Sequence, residues 1–195
     1  MTLMLNGTKH IPALAVAQRT SIRYTEPAPT EKLNWLIHLQ HVRGDTETCK
    51  ELIKKEIVNS EGRNEFLFFK QGSILKEEGK VAEALESFQI CLKLNPENTE
   101  NIKEVGACLY YLGRYKLALD AYKEAERVTK LPDWQVFHRI AETNLILEDI
   151  EQAKHYIRQA IQYGKNESSY ALLVKLLKKQ ADYKAALAAC KSSIE

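Results

Sequence analysis

Residues that interrupt helices are scarce in this chain: eight glycines and five prolines among 195 residues. Valine and threonine are sparse too, which argues against a large sheet. Leucine, alanine, lysine and glutamate dominate, a helix-forming set. Neither sign of charge prevails. The 28 Lys and Arg against 26 Asp and Glu leave a net charge of +2, whereas a nucleic-acid binder would carry a concentrated basic surplus. No apolar run approaches the roughly 20 residues that span a bilayer. The opening MTLMLNGTKHIPALAVAQ is broken by Asn6, Gly7, Lys9, His10 and Pro12, which argues against a secretory apolar core. Arg19 and Arg23 alone are few for a transit peptide.

Cysteine is also scarce. Cys49, Cys91, Cys108 and Cys190 are far apart, with no CxxC pair. A helix-rich, cysteine-poor chain is expected in a reducing compartment, so a cytosolic location follows. A reactive thiol needs an electropositive, accessible site and a nearby base, and no such neighbour is evident. The phosphate-cradling GxxxxGK[ST] and GxGxxG runs and the nucleophile elbow GxSxG are missing. His38 and His41, three residues apart, could grip zinc, but no HExxH frame or third ligand accompanies them. They read as partly exposed histidines. His138 and His155 are isolated, and His155 is expected to face solvent. These readings point away from an enzyme, and from any cofactor or metal.

What the chain does have is a period. Ala84, Ala118, Ala153 and Ala186 follow one another at intervals of 34, 35 and 33 residues. Four residues after each stands Phe88, Tyr122, Ile157 or Cys190, and three further on Cys91, Ala125, Ala160 or Ser193. A weaker first unit carries Gly44, Thr46, Cys49 and Ile53 in the same frame. Residues at i, i+3, i+4 and i+7 share one helix face. Small residues there let two backbones approach, and the bulky one fills the gap between them. Cys91 thus reads as a spacer in a slot that alanine fills in the next two units. Pro96 stops one helix, and Asn98 or Thr99 caps the next.

This resembles the tetratricopeptide (TPR) pattern, helix pairs of about 34 residues stacked side by side. The expected fold is all-α: a TPR-type solenoid of about five helix–turn–helix units in a right-handed superhelix. Units are expected near 30–64, 65–98, 99–133, 134–166 and 167–195, with 1–29 as a flexible tail and linker. The fifth unit has Ala181 where a turn glycine is expected. Its end is expected to be uncapped, leaving Leu176, Leu177, Leu187 and Ile194 exposed unless the natural chain continues or another subunit covers them.

In TPR geometry the first helices line a concave groove. The candidate partner-binding residues are Asn34, Trp35, His38, Phe66, Phe69, Lys70, Lys103, Tyr110, Tyr111, His138, Arg139, Lys175 and Lys178. Aromatic anchors flanked by charge suit recognition of a peptide or helix. The same aromatics could instead pack between helices. The carboxylate clamp that holds acidic chaperone tails is disfavoured, because Lys103 is followed by Ala107 and Arg139 stands where asparagine is required.

A more specific resemblance exists. EKLNWLIHLQHVRGDTETCKELIKKEI, with Asn34 to Leu39, Arg43, Asp45 and Cys49-Lys50, is similar to the opening of the array in the Bardet–Biedl syndrome protein 4 family. The match continues through ALESFQICLKLNPENTENIKEVGACLYYLGRYKLALDAYKEAERV and DWQVFHRIAETNLILEDIEQAKHYIRQAI. It covers about residues 31–165 and loosens from Glu167. The resemblance implies a non-enzymatic subunit of the BBSome, a coat-like complex that moves membrane-protein cargo into and out of cilia. Implied partners are the propeller subunits, a sister TPR subunit and a small extended subunit, with links to pericentriolar material protein and dynactin. Implied sites are the cytoplasm, cilium, basal body and centrosome with its satellites. The alternative reading is a stand-alone TPR adaptor for one short peptide or helix of a cytosolic partner.

Overall fold

A computed structural model describes residues 31–193 of the chain. The expected tail at 1–29 and Ile194 lie outside the described residues. Ten helices occupy the rest: α1 (Asn34–Val42), α2 (Thr46–Asn59), α3 (Glu65–Glu77), α4 (Val81–Leu94), α5 (Thr99–Tyr111), α6 (Tyr115–Val128), α7 (Trp134–Ile146), α8 (Ile150–Gly164), α9 (Glu167–Lys179) and α10 (Tyr183–Ser192). Consecutive helices pack as five hairpins, and each hairpin packs on the next.

Local chemistry explains the boundaries. Asn64, Asn98, Asp133 and Asn166 each accept a backbone N–H with the side chain, starting α3, α5, α7 and α9. The cap of α5 is therefore Asn98 rather than Thr99. Inside each hairpin the chain reverses through one left-handed residue. Gly44, Gly79 and Gly113 hold it at φ of 76°, 78° and 73°; Glu148 and Ala181 hold the equivalent place at 65° and 59°. Ala181 thus forms the turn without glycine, at a cost of about 1–2 kcal/mol from its Cβ.

The core divides into three clusters. The first joins Ile37, Cys49, Ile53, Leu67 and Ile74 of α1–α3. The middle one gathers around Phe88 and Tyr122 from α4 to α7. The last joins Ala141 and Leu145 of α7 to Ile157, Leu172, Leu176 and Leu177. Phe88 and Tyr122 lie directly on glycine backbone. A Cβ built on Gly72 would stand 2.8 Å from the Phe88 ring, and one on Gly106 2.6 Å from the Tyr122 ring.

The expectation of an exposed apolar end needs correction. Leu176 and Leu177 are buried, because Ala186 and Ala189 of α10 close over them. Leu187 is exposed. Cys190, expected in a gap-filling slot, is exposed too, since no described helix lies over that face of α10. Cys49, Cys91 and Cys108 are buried. Burial pushes the Cys91 thiol up to about 12 and the Cys108 thiol to about 11, so both stay protonated.

Candidate interaction groove

The first helices of the second to fifth hairpins bring side chains together along one face. A cavity of ≈ 290 Å³ there is lined by Lys76 of α3, by Lys103, Ala107 and Tyr111 of α5, and by Trp134, His138 and Arg139 of α7, with Tyr122 of α6 at its floor. Four of the sequence candidates, Lys103, Tyr111, His138 and Arg139, thus share one cavity. Trp134 is held in place by Gly164, whose missing side chain leaves room for the indole: a Cβ there would fall 2.4 Å from the ring.

The charges of this face are paired. Lys76 bonds Glu104 across two units. The Lys103 ammonium lies 3.0 Å from Asp133 and 2.5 Å from Glu100. Burial alone would lower its pKa; the two carboxylates outweigh this and hold it above the usual lysine range. Arg139 donates from Nη1 to Glu142 Oε2 at 2.9 Å; burial would lower its pKa, but that bond together with the electrostatic attraction of Glu142, Tyr122 and Tyr111 holds it above the usual range. Burial pushes the His138 imidazole down, with Glu142 opposing and Arg139 assisting, so it is neutral at pH 7. Its Nδ1 lies 3.4 Å from Ser169 Oγ.

The other candidates fall elsewhere. Phe69 sets its ring edge against Phe88 at 5.5 Å, and Tyr110 packs on Tyr115 at 5.4 Å, so both belong to the packed layer. Burial beside Glu142 pushes the Tyr110 phenol up to about 12. Phe66 packs on the first cluster, with the Lys70 ammonium 5.6 Å above its ring. Asn34 accepts from Asn64 Nδ2 at 2.9 Å, tying α1 to the cap of α3. Trp35 and His38 are exposed on α1, and Lys175 and Lys178 on α9, away from the cavity. His41 faces Glu77 at 3.2 Å. Among the described residues no three His, Cys, Asp or Glu side chains gather as a metal site.

Sequence reasoning did not anticipate Glu100, Asp133 and Tyr122 as groove residues. In the sequence Asp133 stands out only with Trp134, as part of the segment that carries the family resemblance. Tyr122 occupies the gap-filling slot of the repeat, so its ring was read and its hydroxyl was not.

The hairpin stack and its first-helix face define a class, the tetratricopeptide-repeat solenoid. Residues 67–98 and 135–163 match the tetratricopeptide repeat family model. The fold is shared by MamA from Desulfovibrio magneticus RS-1, at a TM-score of 0.75 and 20% identity over 85% of this chain and 94% of that one. Within the class the likeness is closer to one family. BBSome complex member BBS4 of Xenopus tropicalis is 37% identical over 157 residues, 80% of this chain and 30% of its own length. That of Mus musculus is 32% identical over 186 residues, 95% of this chain and 36% of its own. The chain belongs to the BBS4 family of TPR proteins, and spans about a third of the length of the curated relatives it matches.

Proposed function

We propose that the chain is a non-enzymatic scaffold of the BBSome, binding segments of other subunits along the face formed by α3, α5 and α7. One observation carries the reading: successive first helices converge on a cavity that combines aromatic faces with fixed hydrogen-bond donors, the arrangement a chain segment needs for anchoring. Propeller-bearing subunits, a sister TPR subunit and a small extended subunit are the proposed partners. Pericentriolar material protein and dynactin are proposed as further contacts, at the cilium, basal body and centriolar satellites. Catalysis finds little support in the groove. Ser169, whose hydroxyl lies 3.4 Å from the His138 ring, is wholly buried, and the thiols of Cys91 and Cys108 stay protonated.

The test is purification of the tagged chain from ciliated cells. Propeller subunits are expected in stoichiometric amount, and Ala107→Arg, which places a long side chain in the cavity, should deplete at least one partner while the circular-dichroism signal is kept. Recovery of a free monomer with no propeller subunit would overturn the reading.

A further inference from the structure

Tyr122 does more than packing requires. Five residues hold its position in the repeat: Ile53, Phe88, Tyr122, Ile157 and Cys190. Phe88 fills the slot on Gly72 as Tyr122 fills it on Gly106, and Phe88 does so without a hydroxyl. The Tyr122 side chain is 1% exposed, yet it lines the groove cavity. Among the described residues its hydroxyl has no hydrogen-bond partner. The hydroxyl is not sealed in the core but opens on the cavity, and the ring alone fills the slot at Phe88, so the hydroxyl has no packing reason to be there.

The surrounding charges narrow the ligand. Lys76 is paired with Glu104, Lys103 with Glu100 and Asp133, and Arg139 with Glu142. An acidic ligand would have to displace these carboxylates and meet their repulsion. Among the described residues no cation in the cavity is left for it. Among the groups still open is a buried donor: burial holds the phenol of Tyr122 above its ordinary range, so it keeps its proton at neutral pH.

We infer that this groove takes an uncharged stretch of a partner protein's chain, anchored by a backbone or side-chain amide carbonyl that accepts a hydrogen bond from Tyr122 Oη. The inference rests on the groove being the binding face proposed above, and it makes Tyr122 a specificity-determining residue. The recognition differs in kind from an electrostatic clamp, since it discriminates by a directed donor among charges that are already paired.

Selection of a random displayed peptide library on the immobilised chain tests it. The selected peptides are synthesised with a fluorophore, and their Kd is measured at low and high salt against wild type, Tyr122→Phe and Ala107→Arg. Uncharged peptides are expected, with Kd changing less than about twofold across the salt range. Tyr122→Phe should weaken binding about three- to tenfold and leave the melting temperature unchanged or higher, as Phe88 already shows the ring alone can fill the slot. Asp- or Glu-rich winners whose Kd rises steeply with salt would overturn the inference. So would wild-type binding by Tyr122→Phe, or a lowered melting temperature that makes the hydroxyl structural. If Ala107→Arg abolishes binding while Tyr122→Phe does not, only this inference fails. If Ala107→Arg binds normally, or no peptide is selected, the groove reading fails with it.

Discussion

The second and third hairpins solve the packing of their helices differently from the fourth and fifth. In the former an aromatic ring lies on bare backbone, Phe88 on Gly72 and Tyr122 on Gly106. At the same two repeat positions, always 16 residues apart, the later pairs have Ala141 with Ile157 and Val174 with Cys190. As one partner grows, the other shrinks. In these four units the two residues together keep a similar bulk, divided between them in each unit's own way. The first hairpin departs from this division, with two large residues, Ile37 and Ile53, both buried.

The sharpest way to break this comparison is to empty the gap. Phe88→Ala should cost about 3–5 kcal/mol, while Cys190→Ala, on an exposed face, should stay within about 0.5 kcal/mol. Denaturant midpoints of the two variants measure the contrast, and equal effects would mean that Cys190 fills its slot as Phe88 does, removing the difference between the units. Overfilling comes next. Gly72→Ala should cost about 1–3 kcal/mol through the clash with Phe88, and Phe88→Leu should recover part of it in a double-mutant cycle. Additive losses would show that the two sites do not share one space.

Glycine in the turns makes a smaller difference of the same kind. Glu148→Gly and Ala181→Gly, at φ of 65° and 59°, should each raise stability by up to about 1 kcal/mol, net of the added backbone freedom. Thermal melting would detect it. Thiol chemistry supplies the mildest probe. Cys190 should react with a maleimide in the native protein, whereas Cys91 and Cys108, buried and held protonated, should react only on unfolding. Mass spectrometry of the labelled chain distinguishes the three.

The repeat itself was readable because its signal is local and periodic. The alanines at 84, 118, 153 and 186 mark second helices, and α3, α5, α7 and α9 start at Glu65, Thr99, Trp134 and Glu167. Partnership was not readable. Periodicity says that Phe88 fills a gap but not that Gly72 makes the room. Lys103 looks like a free groove cation in the sequence, and only the stacking of hairpins brings Asp133 to it from 30 residues away. Phe69 and Tyr110 fall on the groove-facing register, yet an aromatic neighbour draws each into the packed layer. Register fixes a direction from the helix axis; which neighbour meets the side chain depends on tertiary packing.

The division of the core into three clusters has a consequence for how the molecule comes apart. Helix α7 belongs to two of them, with Val136 and Ile140 in the middle cluster and Ala141 and Leu145 in the last. The first cluster holds five buried residues and contributes none to the others. In a linear array, partial unfolding runs along the cheapest interface. Fraying of α1 and α2 can therefore proceed while the rest stays intact, whereas opening α7 disrupts two clusters at once. Amide protons of α7 should exchange with solvent only through the largest opening events, and those of α1 and α2 long before.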